Sequence, residues 1–240
     1  MPVYNAADTL NVAIESILKQ TYKNLMLVIV DDASTDGSLD IAKKYLKDKR
    51  VKVYSNTINM GAYYCRNFGL YAAVDEPWTH FTTHDADDIS FNYRYKTLLQ
   101  AMDKEPRVNG IQDIFDRVNT KEQKVVSSKV TMAHAMFARR VFDKIGYFDL
   151  VRFGGDWEHW QRLKTVNMLD SFGKTKTFNE IHGESYIHDT NLTVLIPEDS
   201  PKRMRYMERA KKKIDKAYRT NSIYYSFTPE RGFTKRILND

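Results

Sequence analysis

A chain of 240 residues with one cysteine, Cys65, has no internal disulfide and no cysteine-rich zinc site. The staples of small secreted domains are thereby excluded, and a reducing, cytoplasmic compartment is the expectation. Long apolar runs are missing too. The longest, Leu25 to Val30, has the length of a strand, far from the about 18 residues of a membrane-spanning helix. Pro2 follows Met1 at once, without the basic and apolar regions of a secretory leader. Glycine and proline are sparse, at 10 and 6 residues, which excludes collagen-like and low-complexity chains. Several motifs are also absent: Gly-x-x-x-x-Gly-Lys-Ser/Thr, Gly-x-Gly-x-x-Gly, Gly-x-Ser-x-Gly and His-Glu-x-x-His. ATPase, dinucleotide oxidoreductase, serine hydrolase and zinc peptidase readings lose their usual support.

What is present is ordinary globular composition, 42% hydrophobic and 28% charged. The net charge of +6 is concentrated in one place. Between Pro201 and Arg219 stand nine basic residues against only Glu208 and Asp215, so the rest of the chain is close to neutral. Ser200-Pro201 reads as an N-cap and first-turn proline, and Met207, Ala210, Ile214 and Ala217 form a narrow apolar stripe. A basic helix of this kind is the one feature that favours nucleic acid, and no nucleic-acid partner is expected. A solvated helix packed by its stripe, or contact with an anionic membrane surface, fits it better.

The first 150 residues alternate helical and strand patterns, the mark of an α/β layer structure. Leu10, Ile14, Ile17 and Leu18 recur at helical spacing behind Asp8 or Thr9 as cap. Leu25 to Val30 reads as a strand buried on both faces, and it ends in Asp31-Asp32. Ser34 to Gly37 is turn chemistry, followed by a helix with Leu39, Ala42, Tyr45 and Leu46 on one face. After a short strand at Val51–Tyr54 and a helix at Ala62–Ala73, Trp78 to Thr83 reads as a strand running into His84-Asp-Ala-Asp-Asp88. Strands at Ile111–Phe115 and Val125–Met132 and a helix from Arg139 to Ile145 come next. Two glycines then open a helix that carries Asp156 at its start.

Twice a strand ends in clustered carboxylates. Ligands of open α/β sheets bind beyond the carboxyl ends of strands, so Asp31, Asp32, Asp85, Asp87 and Asp88 are expected around one crevice. Aspartates also favour strand-end turns and caps, which accounts for Asp31-Asp32 equally well. Three carboxylates within four residues repel one another unless a cation is near, and oxygen ligands suit Mg2+ or Mn2+.

Pro2-Val-Tyr-Asn5, Ser16 to Tyr22 and Val30-Asp-Asp-Ala-Ser-Thr-Asp-Gly-Ser38 together resemble the opening of family 2 glycosyltransferases. The likeness continues through Asn59-Met-Gly61, Arg66 to Gly69, Asp85-Ala-Asp-Asp88, Phe137 to Arg140, Ile145 to Asp149 and Gly155-Asp-Trp-Glu158. The resemblance implies a GT-A fold: a mixed, mainly parallel sheet flanked by helices. Residues 1–195 would form the catalytic domain, nucleotide-binding to about residue 105 and acceptor-side from 106 to 195. Residues 196–240 would form a basic helical extension. It also implies metal-dependent, inverting transfer from a nucleotide-sugar donor, UDP-linked, to a saccharide or lipid-linked acceptor. Pro2, Tyr4 and Asn5 would belong to the loop beside the base, with Asn59 and Gly61 nearby, and Asp32, or Asp31, would bond the uracil. Arg66 would lie near the base or diphosphate, Asp85 near ribose or metal, and Asp87 and Asp88 at the metal. His188 would complete the metal shell, with His182 as competitor. Asp156 matches the general base, although Gly155 replaces the glutamate that usually precedes it, and Glu158 is the fallback.

In the family a strand of about five apolar residues precedes Pro-Val-Tyr-Asn, and here it would begin before Met1. The expectation is either that the numbering starts inside a longer chain or that a central strand is missing. Two alternatives stay open: a sugar nucleotidyltransferase on a similar sheet, and a non-catalytic module binding carbohydrate or a partner.

Overall fold

The computed structural model describes residues 1–151, 153–187, 200–220, 225–227, 229 and 234–237. The first half alternates β1 (Pro2–Val3), α1 (Ala7–Leu18), β2 (Leu27–Asp31), α2 (Ser38–Lys43), β3 (Val51–Asn56) and α3 (Ala62–Ala72). β2 runs parallel to both β1 and β3, and β10 (Thr234–Ile237) closes this sheet antiparallel to β3. The unbroken apolar run of β2 follows from its two covered faces. Leu27 and Ile29 join Leu10, Ile14, Ile17 and Ala42, while Val28 and Val30 meet Tyr64 and Phe68 of α3. Each fully buried Ile or Leu contributes roughly 1.5–3 kcal/mol relative to exposure.

Neither Asp8 nor Thr9 caps α1, whose N-cap is Ala6. The turn after β2 supplies the acceptors instead. Asp36 Oδ2 takes the Ala7 N–H at 2.9 Å and Ser38 Oγ takes that of Ala6 at 2.8 Å. The turn and the helix start therefore order each other.

A second sheet of six strands holds β4 (His80–Thr82), β5 (Asp88–Ser90), β6 (Val108–Asn119), β7 (Lys124–Val130), β8 (Met136–Ala138) and β9 (Lys174–Ile187). Its path is β4-β8-β6-β9-β5, with β7 on β6. Among the described residues, only β6 and β9 pair in parallel in this sheet. The expectation of a mainly parallel sheet thus holds for the first half alone, and antiparallel pairs prevail in the second. The two-residue β1 lies at one end of its sheet and β4 at one end of the other, and no ladder joins them among the described residues.

Helices α4 (Arg94–Lys104), α5 (Arg139–Ile145), α6 (Gly155–Leu169) and α7 (Pro201–Arg219) complete the fold. α6 lies on β6 at Gly110, where an added Cβ would stand 2.8 Å from Leu163 and 3.1 Å from Trp160. Ser200 caps α7 by accepting from the Arg203 N–H at 3.3 Å, as its sequence predicts. Ala210, Ile214 and Ala217 are buried, Met207 is half-buried, and Ile214 enters the cluster of Trp160, Leu163 and Val166. The basic helix is therefore docked on α6 rather than hanging free. No helix among the described residues is long and apolar enough to cross a membrane.

Candidate active site

Three loops converge where β1, β2 and β4 end. The first follows β1. Pro2 is buried, Tyr4 stands 54% exposed, and Asn5 adopts φ 48°, a left-handed conformation that asparagine tolerates. Asn5 Oδ1 accepts from Thr35 N at 2.8 Å and the Asn5 N–H donates to Ser34 Oγ at 3.0 Å, joining this loop to the one after β2.

Asp31 and Asp32, at the end of β2, are both buried but do different things. Asp32 Oδ1 accepts from Asn56 Nδ2 and Met60 N, and Oδ2 from Gly61 N, each at 2.7 Å. Asn59 Nδ2 reaches the Asp32 carbonyl at 3.5 Å. Asp32 thereby holds the loop of Asn59 and Gly61 that leads into α3. Asp31 Oδ2 takes weaker bonds from Ser34 N and Ser55 Oγ, and Asp31 Oδ1 is buried without a partner. A buried carboxylate oxygen left unbonded is costly, and a donor group entering the crevice would satisfy it.

The acidic turn follows β4. Arg66, buried on α3, donates from Nη2 to Asp85 Oδ1 at 2.6 Å. Burial opposes the charge on Asp85, yet Arg66, with His134 behind it, holds the carboxyl at about 2. Asp88 is buried and pairs with His134 Nε2 at 2.6 Å, and its other oxygen accepts from Tyr186 N at 3.3 Å. His134 Nδ1 faces the Thr83 carbonyl at 3.2 Å, so Nδ1 carries a hydrogen and Nε2 is aimed at the carboxylates. Burial alone would lower the pKa of His134, but Asp88 raises it, and burial pushes that of Asp88 up.

Asp85, Asp88 and His134 place their ligand atoms within 4.8 Å of one another. Two carboxylates and an imidazole whose far nitrogen bonds a backbone carbonyl suit a divalent cation. Asp87 is half-buried in the turn before β5 and lies outside this set of three. His188 lies outside the described residues. His182, its competitor, is elsewhere: it is buried, with Nδ1 3.0 Å from Asp113 Oδ2.

The turn is braced from below. Thr9 Oγ1 donates to Ala86 O at 2.9 Å, His84 bridges Asp85 O and Ser90 Oγ, and Gln20 Nε2 donates to Phe91 O at 2.8 Å. Arg94 donates to Asp113 at 2.7 and 3.1 Å and to the His134 carbonyl at 2.6 Å.

Asp156 comes in from the second half, in the first turn of α6, behind Gly154 at φ 77°. Tyr63 donates its hydroxyl to Asp156 Oδ1, and the Arg66 guanidinium lies 4.8 Å from the Tyr63 ring centre. Burial and the neighbouring Asp156 push the Tyr63 phenol well up, so it stays a donor. Asp85, Arg66, Tyr63 and Asp156 therefore form one run of contacts. Glu158 does not share it. Its side chain is fully buried with Arg162 Nε 2.8 Å from Oε1, and burial raises its pKa.

His134 and Tyr63 escape the sequence reading. His134 stands 46 positions from Asp88, and tertiary contacts, among them the pairing of β8 with β4 and the Arg94 bond to its carbonyl, bring them together. The one local hint is its place just before the apolar Ala135 to Ala138.

An α/β layer carries acidic loops at its strand ends, with a further acid, Asp156, on a later helix. The model of glycosyl transferase family 2 matches residues 1–160, and the chain belongs to that family. Glycosyltransferase GlyG of Streptococcus pneumoniae is 36% identical over 188 residues, 76% of this chain and 58% of that protein. An uncharacterized glycosyltransferase of Haemophilus influenzae is 41% identical over 103 residues, 42% of this chain and 40% of its own. Escherichia coli WfaP, named a UDP-Glc:alpha-D-GlcNAc-diphosphoundecaprenol beta-1,3-glucosyltransferase, is 35% identical over 102 residues, 42% of this chain and 39% of its own. The chain spans less than two thirds of the length of each of these relatives. S. aureus TarS bound to UDP-GlcNAc superposes with a TM-score of 0.68 at 19% identity, covering 92% of this chain and 68% of that one. The mannosyltransferase PcManGT of Pyrobaculum calidifontis, solved with GDP-Man and Mn2+, gives 0.59 at 15% identity, covering 92% and 70%. The fold is thus GT-A.

Proposed function

We propose that the chain is a metal-assisted, inverting glycosyltransferase that moves a sugar from a UDP-linked donor to a hydroxyl of a saccharide or lipid-linked acceptor. The observation that carries this reading is the contact run Asp85–Arg66–Tyr63–Asp156, which brings a strand-end acid and a helix-borne acid to one crevice. Exposed Tyr4 flanks the base, with Pro2 and Asn5 shaping its loop. The free Asp31 Oδ1 accepts from the base edge, while Asp32 keeps the Asn59–Gly61 loop in position. Arg66 and Asp85 face the ribose and diphosphate.

Asp85, Asp88 and His134 would hold Mn2+ or Mg2+, with Asp87 and His188 as further donors. Such a cation supplies Lewis-acid stabilisation of the leaving diphosphate. Asp156 accepts the proton of the acceptor hydroxyl as its oxygen bonds to the anomeric carbon. The bond from that carbon to the diphosphate oxygen breaks, and UDP leaves with the electron pair. No covalent enzyme intermediate is needed. Glu158, buried and ion-paired, is not a base in this scheme.

The printed names of WfaP and of the TarS complex support a UDP donor, and that of PcManGT keeps GDP-mannose in the test. With Mn2+ and a saccharide acceptor, UDP-glucose or UDP-N-acetylglucosamine should release UDP, and GDP-mannose, if it is the donor, GDP. Failure of all three donors overturns the reading, and release of pyrophosphate from a sugar phosphate and UTP selects the nucleotidyltransferase. The basic face of α7 would hold the enzyme at the cytoplasmic surface of an anionic membrane, beside a lipid-linked acceptor.

A further inference from the structure

Gly155 precedes the proposed base, and its missing side chain has a visible cause. A Cβ on Gly155 would stand 2.9 Å from both Cδ1 and Cε1 of Tyr63 and 3.1 Å from the Asp149 carbonyl oxygen. The Tyr63 ring cannot swing aside freely. It is 6% exposed, with the Phe148 ring 6.1 Å away and the Arg66 guanidinium 4.8 Å from its centre. From this wedge the phenol reaches Asp156 Oδ1. An aspartate in the first turn of a helix, with a solvent-facing side, has several rotamers open to it. A bond from another element selects one of them and fixes the plane of the carboxylate.

We infer that Tyr63 is the positioning residue of Asp156, seated by the absence of a side chain at Gly155. The inference rests on the reading of Asp156 as general base. Tyr63 touches no substrate; it sets the direction from which the carboxylate meets the acceptor hydroxyl. Because its ring also supports Arg66, the same side chain keeps the base in register with the nucleotide side through Asp85. The charged and titratable groups around this point include Tyr63 and Arg66 from α3, Asp85 on Arg66, Asp149 with its Lys213 partner, Glu158 from α6, and Tyr206 from α7, whose ring meets Gly154.

Tyr63→Phe tests this, since the ring, its packing on Gly155 and its support of Arg66 all survive and only the hydroxyl is lost. With UDP-glucose and UDP-N-acetylglucosamine as donors, kcat should fall about 10-fold, a fraction of what a general base contributes. The donor KM, the Kd for UDP and the melting temperature should stay within about twofold or a degree, because a uniform binding contact would raise KM instead. Gly155→Ala should also lower kcat by displacing the ring, whereas Asp156→Asn should abolish turnover. Wild-type kcat in Tyr63→Phe beside an inactive Asp156→Asn overturns the inference and spares the base. Loss of UDP affinity in Tyr63→Phe equal to its loss of kcat overturns it as well. Wild-type turnover in Asp156→Asn overturns the base assignment itself. No UDP release by the wild type from either sugar removes the donor reading and the inference together.

Discussion

At the scale of the residue, the carboxylates of this chain divide by what surrounds them. Asp113 is buried between Arg94 and His182. Burial works against its charge, but these partners hold the carboxyl at about 2, below the roughly 3.9 of an unfolded chain. A depressed carboxylate stabilises the fold above the unfolded value, and the contribution is lost as pH falls through the folded one. Asp113→Asn should therefore cost about 3–5 kcal/mol at pH 7, because Arg94 is left buried and unpaired. The gap between wild type and variant should narrow as pH falls from about 4 to about 2. Urea midpoints at pH 7 and pH 3 check this, and a gap independent of pH would refute it. Asp87 is half-buried in the turn before β5. Asp87→Asn should remove Mn2+-dependent UDP release while leaving the melting temperature unchanged. Full turnover at ordinary Mn2+ would assign the ion to Asp85, Asp88 and His134 alone.

At the scale of the element, legibility follows how local the cause is. β2 is readable because both its faces are buried, and the cap of α7 because Ser200 and Pro201 act on their own helix. The cap of α1 is unreadable from Asp8 or Thr9 because its acceptors, Asp36 and Ser38, belong to the next turn. β9 leaves no clear pattern, since Lys174 to Ile187 mixes polar and charged residues and is held by its neighbours β6 and β5. The acidic turn could be found from residue types alone, but His134 and Tyr63 reach it only through tertiary pairing. The same long-range logic places α6. Its Trp160 and Leu163 settle on β6 because Gly110 leaves a notch, so Gly110→Ala should destabilise the fold by about 1–3 kcal/mol through overpacking. Thermal or urea unfolding measures this, and unchanged stability would mean that α6 can lift off β6 without strain.

For the whole molecule, the asymmetry of charge sets the outstanding question. Nine basic residues lie on α7, yet its Ala210, Ile214 and Ala217 stripe is already used against α6. Its exposed face is thus cationic, and the buried face leaves no Trp, Phe or Leu to insert into a bilayer. Attachment to an anionic membrane would accordingly be electrostatic, worth about 1 kcal/mol for each Lys or Arg near the surface and falling within a Debye length. The docking of α7 also brings this helix close to the start of α6, where Asp156 lies, because Tyr206 meets Gly154 and Lys213 pairs with Asp149 at 3.0 Å. A surface-bound enzyme would hold Asp156 near the headgroup layer where a lipid-linked acceptor carries its sugar. Binding to phosphatidylglycerol-containing vesicles should be strong at low salt, should fall steeply as salt rises, and should be absent with phosphatidylcholine alone. Lys211 and Lys212 are exposed, whereas Lys213 is the lysine that bonds Asp149. Replacing Lys211 and Lys212 with Gln, together with Lys216, should weaken sedimentation with anionic vesicles and leave UDP release on a soluble acceptor intact. Equal sedimentation with both vesicle types at low salt would reduce α7 to a solvated helix that braces α6.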